Sequence, residues 1–249
     1  MAVPTPNRAH ILGLPVDVLD REGLLGRVEA FTSGQQRVTV GYLNVHVVNT
    51  AMRDAALFEF LRGLDLCYAD GAGVVLGARI LGHELPERMT GADWIWDLCA
   101  AAEGRWRLAW IGGEPGVAEQ AAEVLRERHP ALQIHPEHGF ETDHASLISR
   151  VNDFGAHIVL VGMGTPAQER WVAQWRPSLE APVVWCLGAT ADFVSGKTAR
   201  GPAWLHDNQE WLARLITEPG RLWKRYLLGN PLFLARVLRQ RLRRTTTAP

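Results

Sequence analysis

A single carboxylate stands at the most suggestive turn of this 249-residue chain. An apolar run from Leu66 to Ala69 is typical of a strand, and Asp70 follows it directly. Gly71 and Gly73 then allow the backbone to turn into a helical pattern. A carboxylate at the carboxyl end of a strand lies where open α/β sheets bind ligands. The structural alternative is that Asp70 only shapes the turn or caps the next helix.

Two glycine turns are candidates for phosphate binding. The runs Gly112–Gly116 and Gly162–Pro166 each follow an apolar strand pattern and precede a helical one. Backbone N–H groups at such helix starts can meet an anion, although a tight α/β turn explains both runs equally well. Gln168, just after the second turn, could donate and accept hydrogen bonds toward a base or sugar, and Glu169 suits the helix dipole. Neither turn matches G-x-G-x-x-G, and the P-loop pattern is absent.

Basic side chains cluster late in the chain. Lys197 and Arg200 lie in a loop after the last strand pattern, which is either an anion site or a solvated loop. Arg214, Arg221 and Arg225 follow close together, and three arginines can clamp a pyrophosphate through forked hydrogen bonds. The chain has no D-x-D motif, so arginine would have to neutralise a departing diphosphate.

Metal binding is not indicated by the sequence. His135 and His138 resemble a metal pair only superficially, because Pro136 breaks the helical spacing between them. No third ligand is evident nearby. We therefore expect no metal and no cofactor.

Composition places the chain among soluble globular proteins, with 47% hydrophobic and 21% charged residues. Its three cysteines, Cys67, Cys99 and Cys186, lie in apolar runs, and their odd number fits no closed disulfide framework. This pattern indicates a reduced, cytoplasmic protein. The start lacks a signal-peptide core, and no run approaches the ~20 apolar residues of a spanning helix. Any membrane contact would therefore be peripheral.

Charge is distributed unevenly along the chain, although the net charge is only -1. Between Trp211 and Arg244 nine basic residues face one acid, and the run 232–244 has the pattern of a basic amphipathic helix. Leu234, Val237, Leu238 and Leu242 would share one side of it. Such a helix is typical of binding to an anionic membrane surface, and its interleaved leucines favour lipid over nucleic acid.

Alternating apolar strands and helical patterns predict an α/β fold, with a mostly parallel, Rossmann-like sheet flanked by helices. We expect a catalytic domain over 1–203 and a basic helical appendage over 204–249. Within this frame the pattern predicts one helix over 47–61 and a loop over 188–202. Gly229-Asn230-Pro231 should interrupt the C-terminal helices.

Taken in order, these stretches resemble the WecG/TagA/CpsF family of bacterial glycosyltransferases. The resemblance covers roughly 11–226 and depends on the combination of motifs, since no single one is specific. The matching pieces are Asn44 after a strand, Tyr68-Ala69-Asp70-Gly71-Ala72-Gly73-Val74-Val75, Glu87-Arg88-Met89-Thr90-Gly91-Ala92-Asp93, Gly162-Met163-Gly164-Thr165-Pro166-Ala167-Gln168-Glu169-Arg170-Trp171, Asp192-Phe193 with Gly196 and Arg200, and Glu210-Trp211-Leu212-Ala213-Arg214-Leu215 with Glu218-Pro219 and Arg221.

The resemblance implies metal-independent, inverting transfer from a UDP-sugar donor to an undecaprenyl-diphosphate-linked sugar, a polyprenyl-diphosphate acceptor, at the inner face of the cell membrane. It makes Asp70 the general base, with Arg214 and Arg221 assisting catalysis over the diphosphate. The donor could be UDP-N-acetylmannosamine, its uronic acid, UDP-glucose or UDP-glucuronic acid. The substrate-binding residues it implies are Asn44, Arg88, Asp93, Gly162, Gln168, Glu169, Asp192, Arg200 and Arg225.

Three positions depart from the family's pattern. Tyr42 stands where a threonine is frequent, which makes a polar contact there doubtful. Ala167 replaces the usual lysine before the Gln168-Glu169 pair, and Gly201 replaces an alanine after Arg200.

Two other classes of function remain open from the sequence. One is an NAD(P)-dependent oxidoreductase on the same sheet, which the missing glycine fingerprint disfavours. The other is a non-catalytic module that binds anionic lipid through its basic end. Self-association into a homo-oligomer is compatible with either reading.

Overall fold

A computed structural model describes residues 7–197 and 223–246. In chain order the strands are β1 (Arg8–Ile11), β2 (Leu14–Asp17), β3 (Val38–Leu43), β4 (Leu66–Ala69), β5 (Arg107–Gly112), β6 (Gln133–Glu137), β7 (Ile158–Gly162) and β8 (Val183–Cys186). The helices are α1 (Arg21–Ser33), α2 (Val45–Ala51), α3 (Ala55–Arg62), α4 (Ala72–Ile80), α5 (Gly91–Ala102), α6 (Val117–Arg128), α7 (His144–Asp153), α8 (Ala167–Trp175), α9 (Thr190–Val194) and α10 (Gly229–Thr246).

One six-stranded sheet organises the described residues, in the order β4-β3-β8-β7-β5-β6, and every pairing in it is parallel. The strands β4, β7 and β8 are buried throughout, as in parallel sheets covered by helices, whereas the edge strand β6 is partly exposed. β1 and β2 form a separate antiparallel hairpin. The α/β, Rossmann-like prediction is therefore confirmed.

The course of the chain reverses between β5 and β7. From β5 the chain first moves outward to β6, and it then returns to place β7 on the other side of β5. A crevice opens at such a switch point, outside the carboxyl ends of the strands, where α/β sheets bind ligands. Gly112 ends β5 and Gly162 ends β7, so both glycine turns of the sequence lie there.

Aromatic side chains fill much of the core beneath the β3–β4 half of the sheet. The rings of Trp94 and Trp185 stack with centroids 4.0 Å apart, and the ring of Tyr68 meets both edge-on. Trp94 and Trp185 are fully buried, and Tyr68 is nearly so. This packing gives the strand that leads to Asp70 a rigid support.

The prediction of a single helix over 47–61 is wrong. The chain instead forms α2 and α3, separated by a short turn that ends at Asp54. The carboxylate of Asp54 accepts a hydrogen bond from Leu57 N (3.1 Å) and caps α3. The apolar residues keep a helical spacing on both sides of this turn, so the sequence pattern alone does not show that a second helix begins there.

The prediction of a loop over 188–202 is also wrong in its first part. Residues Thr190–Val194 form α9, which is too short to show apolar periodicity in the sequence.

The C-terminal helix has no break at Gly229-Asn230-Pro231. A π-helical turn at Lys224–Leu228 continues directly into α10. Such turns occur where the regular backbone ladder is interrupted, and Pro231 has no N–H for that ladder.

The apolar side of α10 is divided between the protein and solvent. Phe233 and Val237 are buried, whereas Leu238 and Leu242 are 50% and 66% exposed. The helix predicted over 232–244 is confirmed, and the protein covers only the part of its apolar side that includes Phe233 and Val237. The domain boundary after residue 203 lies outside the described residues and stays a prediction.

α10 packs against α2 and α4. Phe233 lies against Gly77 of α4, where an added Cβ would be 2.7 Å from the Phe233 ring. Asn49 of α2 donates a hydrogen bond to Gly229 O (2.8 Å), and Arg236 donates to the Asn49 side chain. The helix is therefore held by both apolar and polar contacts.

The outer edge of β4 is covered by polar contacts. The Asp17 carboxylate accepts a hydrogen bond from Cys67 N (2.7 Å), in the middle of β4. Arg8 in turn binds both carboxylate oxygens of Asp17, at 2.7 and 2.9 Å. Asp17 is 1% exposed, so this ion pair satisfies a buried charge.

Candidate active site

Asp70 lies directly after β4, at the carboxyl edge of the sheet. Its backbone N–H donates to Leu43 O (2.8 Å), and Met89 N donates to Ala69 O (3.0 Å) on the other side. Gly71 has a φ of 88°, which glycine adopts without steric cost. Gly71 is the N-cap of α4, and Asp70 immediately precedes it.

Asn44 holds the carboxylate of Asp70. Its Oδ1 accepts from Val47 N (2.9 Å) and caps α2, while its Nδ2 donates to Asp70 Oδ2 (2.8 Å). Because the Val47 N–H can only donate, the amide oxygen must face it and the NH2 group must face Asp70. The cap of α2 therefore fixes the donor that orients Asp70.

Met89 places a second segment of the predicted site, Arg88–Asp93, beside Asp70. It forms an isolated parallel bridge with Asp70, and Arg88 immediately precedes it. Thr90 Oγ1 donates to Asp93 Oδ2 (2.7 Å), which holds Asp93 in the first turn of α5. The structure therefore brings the backbone of the Arg88–Asp93 segment beside Asp70.

α9 begins beside the start of α5. A Cβ on Gly91 would clash with Thr190 Oγ1, so glycine is required for this approach. Thr190 Oγ1 donates to Leu187 O (2.8 Å), and Asp192 lies in the first turn of α9. The two helices thus bring the backbone positions of Asp93 and Asp192 to one corner of the sheet edge.

Gln168 is buried and uses both ends of its amide inside the protein. Its Oε1 accepts from Gly188 N (2.9 Å). Its Nε2 donates to Tyr42 Oη (3.3 Å) and to Glu169 Oε1 (2.8 Å). The Gln168 side chain is 0% exposed, so its amide links protein groups to each other and does not face solvent. Its assignment to substrate binding stays a prediction.

Tyr42 does make a polar contact at the position where the sequence left one in doubt. Its hydroxyl accepts the hydrogen bond from Gln168, at the end of β3. Burial, the carboxyl of Glu169 and that of Asp70 together raise the pKa of Tyr42 above its usual value. The phenol therefore stays neutral and can serve as a hydrogen-bonding group.

Glu169 is a buried carboxyl, 3% exposed. Its Oε1 accepts from Thr165 Oγ1 (2.8 Å) and from Gln168 Nε2, while its Oε2 has no hydrogen-bond partner among the described residues. Burial raises the pKa of Glu169, an effect that the two hydrogen bonds reduce.

The glycines at the strand ends are explained by close packing. A Cβ on Gly162 would lie 2.7 Å from Gly188 O, and one on Gly188 would lie 2.6 Å from Tyr42 Oη. A Cβ on Gly112 would clash with Gly162 O. These contacts account for the glycines without a ligand, so phosphate binding by Gly162 stays a prediction.

Of the predicted basic residues near the end of the chain, Lys197 is described, and it pairs with Glu114 of the first glycine turn (2.8 Å). The others are described in part or not at all. Arg200, Arg214 and Arg221 lie outside the described residues, and of Arg225 only the backbone, within the π-helical turn, is described. Their assignment to diphosphate binding is untested.

His135 belongs to an ion cluster at the far edge of the sheet. Its Nε2 lies 2.9 Å from Glu137 Oε1, and Arg150 binds both oxygens of Glu137 at 2.7 and 2.8 Å. Arg150 is the principal cause of the lowered pKa of Glu137. Within residues 7–197 and 223–246, no group of three or more potential metal ligands is found.

Sequence reasoning missed two residues that complete the site. Tyr42 and Thr165 bind Gln168 and Glu169, as described above. Thr165 lies in the second glycine turn, but a threonine in a turn gives no signal of a partner four residues away. The position of Tyr42 relative to Gln168 depends on the pairing of β3 with β8, which the sequence does not specify.

Comparison with known proteins identifies the family of this chain. The sequence pattern of the glycosyl transferase WecG/TagA/CpsF family matches residues 9–247. Relatives in Staphylococcus aureus strains NCTC 8325 and COL are each named N-acetylglucosaminyldiphosphoundecaprenol N-acetyl-beta-D-mannosaminyltransferase. Both are 25% identical over 238 residues, which is 92% of this chain and 92% of the relative. The chain belongs to the WecG/TagA/CpsF family of glycosyltransferases.

Proposed function

We propose that the chain transfers a hexose from a UDP-sugar to an undecaprenyl-diphosphate-linked sugar, in the synthesis of a bacterial cell-surface polymer. N-acetylmannosamine is the first candidate for the transferred sugar, because the relatives are named for it. N-acetylglucosamine on undecaprenyl diphosphate is the first candidate acceptor for the same reason. The observation that carries the proposal is the Asp70 carboxylate, oriented by Asn44 at the carboxyl edge of the sheet.

Asp70 acts in this proposal as the general base. Its carboxylate removes the proton from the acceptor hydroxyl, whose oxygen then attacks the anomeric carbon of the donor. The bond from that carbon to the UDP oxygen breaks, UDP leaves with the bonding electrons, and the configuration inverts. Such a base needs to lie within hydrogen-bond reach of the acceptor, and Asn44 limits the positions available to the carboxylate.

Positive charge has to meet the departing diphosphate. We assign this task to Arg214 and Arg221, with Arg225 and Arg200 as further contacts, because guanidinium groups bind phosphate oxygens in pairs. Metal-independent transfer belongs to the same proposal. The donor pocket would then lie between the Arg88–Asp93 segment, the start of α9 and the second glycine turn.

The exposed side of α10 supports contact with the inner membrane surface. Leu238 and Leu242 are exposed there, with Arg239, Arg241 and Arg243 beside them. In the described part of the chain, no helix is both long enough and apolar enough to cross a bilayer. Leucines can enter the interface while arginines meet anionic headgroups, at about 1 kcal/mol for each basic residue.

A panel of UDP-sugars tests the proposed function directly. The protein is incubated with each donor and a short-chain prenyl-diphosphate N-acetylglucosamine acceptor, and the products are identified by mass spectrometry. We expect UDP-N-acetylmannosamine to give a disaccharide whose new linkage is inverted relative to the donor. Absence of transfer from every UDP-sugar would refute the proposal.

Asp70→Asn is the companion variant. We expect its kcat to fall by roughly 10²–10⁴, which is the usual contribution of a general base. The affinity for UDP, measured by calorimetry, should stay unchanged, since the nucleotide is held elsewhere in the proposal. Turnover at the wild-type rate would show that Asp70 is not the base.

A further inference from the structure

Glu169 is a buried carboxyl that takes part in no step of the proposed transfer reaction. Its side chain is 3% exposed, so a bound sugar would reach it only if the protein opened. Its hydrogen-bond donors are the Thr165 hydroxyl and the Gln168 amide. No basic side chain is among its partners in the described part of the chain. A carboxyl in this position needs another explanation than ion pairing.

Glu169 holds the Gln168 amide in the orientation that Gly188 requires. Gly188 N can only donate a hydrogen bond, so Gln168 must present Oε1 to it and Nε2 to the opposite side. On that side Glu169 Oε1 and Tyr42 Oη accept from Nε2. Without the Glu169 acceptor, only Tyr42, at 3.3 Å, would hold the NH2 group, and the amide could rotate away from Gly188.

Gln168 in turn connects three neighbouring strand ends. Tyr42 lies at the end of β3, Gly188 follows β8, and the Thr165–Glu169 pair follows β7. Two residues beyond Tyr42 is Asn44, which orients Asp70. Shortly beyond Gly188 is α9, with Asp192 in its first turn. A shift of Gln168 would therefore move both sides of the donor pocket.

We propose that Glu169 is a positioning residue for the sugar-nucleotide donor, whose Oε1 locks the Gln168 amide and thereby fixes the ends of β3 and β8. This inference rests on the proposed function, because the pocket it shapes is the one assigned to the UDP-sugar. The property that matters is an acceptor oxygen at the position of Oε1. A negative charge is not needed, and Oε2, which has no hydrogen-bond partner among the described residues, contributes nothing to the lock.

Two substitutions separate the acceptor from the charge. Glu169→Gln is isosteric, keeps an oxygen that can accept from Thr165 and Gln168, and removes the charge. Glu169→Leu has similar volume and no acceptor. Glu169→Leu leaves the donors of Thr165 and Gln168 without this acceptor, so it should fold with reduced stability.

Steady-state kinetics with donor and acceptor varied separately is the test. We expect Glu169→Leu to raise the KM for the donor by roughly ten- to a hundredfold, as misplacement of a binding group does. The KM for the lipid acceptor should change little, and the melting temperature should fall because two donors lose their acceptor. Glu169→Gln should restore the donor KM to near the wild-type value.

Glu137→Gln is the matched control, because Glu137 is also a buried carboxyl at the carboxyl edge of the sheet. Its oxygens pair with Arg150 and His135 at the far edge. We expect this variant to lower the melting temperature and to leave the donor KM unchanged. A purely structural role for Glu169 would give the same result at position 169, and that outcome would overturn the proposal.

Equal impairment of Glu169→Gln and Glu169→Leu would also overturn it, because the charge would then be required. Titration of the wild type and of both variants with UDP by calorimetry keeps the inference independent of turnover. Should the wild type transfer no sugar, the proposed function would fail. A loss of UDP affinity in Glu169→Leu that Glu169→Gln restores would still support the lock.

Discussion

The Asn44 amide joins a helix cap to Asp70, the proposed base of the reaction. Its oxygen satisfies the first turn of α2 and its nitrogen donates to Asp70. Each task alone could be met by other side chains, since Asp or Ser caps a helix equally well. The Asn44 amide does both at once, because its oxygen accepts from Val47 N while its NH2 group donates to Asp70.

Asn44→Asp separates the two tasks of this side chain. The carboxylate should preserve the cap of α2, so the melting temperature should change little. It also places a second negative charge beside Asp70 and thereby raises the pKa of the base relative to the wild type. We expect the acid limb of the kcat profile to move upward by about one pH unit or more.

Asp20→Asn is the control for this exchange, because Asp20 caps α1 through Gly23 N (2.8 Å) away from the site. It should leave the pH profile as it is. An unchanged profile in Asn44→Asp would contradict the role of Asn44 in orienting the base.

At the scale of elements, the sequence predicts well where each strand lies along the chain, but it does not predict which strands lie side by side in the sheet. The apolar runs before Asp70, Gly112 and Gly162 each form strands of the sheet. Their order across the sheet follows from long-range pairing, so the contact between Tyr42 and Gln168 was not predictable. The turn at Asp54 and the short α9 were missed because local capping and tertiary contact decide them.

The packing of α10 on α4 can be tested by a pair of glycine substitutions. Gly77→Ala puts a Cβ 2.7 Å from the Phe233 ring, so the aromatic side chain has to move. We expect the free energy of unfolding to fall by about 1–3 kcal/mol, the usual cost of overpacking. Urea denaturation measures this change.

Gly26→Ala is the matched substitution in α1, where nothing lies within 4 Å of the added Cβ. There the loss of backbone freedom in the unfolded chain should stabilise the protein by about 0.4–1 kcal/mol. Equal effects at both positions would mean that Phe233 does not hold α10 against α4 in solution.

At the scale of the whole molecule, α10 presents one face to the protein and the other to its surroundings. Phe233 and Val237 are buried, while Leu238 and Leu242 are exposed. The sequence indicates the basic amphipathic character of this region. It does not indicate which leucines stay outside, because that depends on where α2 and α4 lie.

The exposed leucines predict a salt-resistant part of membrane binding. The double variant Leu238→Ser with Leu242→Ser should reduce partitioning to anionic vesicles at least about tenfold, since each inserted leucine contributes about 1.5–3 kcal/mol. Arg239→Gln should weaken binding mainly at low ionic strength, because salt screens exposed charges. Co-sedimentation at two salt concentrations measures both effects.

Phe140→Ser provides the control for vesicle binding. Phe140 is 67% exposed in the loop after β6, at the opposite edge of the sheet from β4. Its replacement should not affect sedimentation. If Phe140→Ser reduced vesicle binding as strongly as the leucine variant, the binding would arise from general surface hydrophobicity and not from α10.

The covered edge of β4 also bears on how copies of this chain can associate. An open edge strand accepts a strand from another molecule and so promotes aggregation. Here the Arg8–Asp17 pair occupies the N–H of Cys67, and Met89 takes the backbone groups on either side of Asp70. A second chain would have to break these contacts before adding a strand. Self-association by β-augmentation is therefore blocked at the edge that carries Asp70, and a homo-oligomer would have to form through another surface.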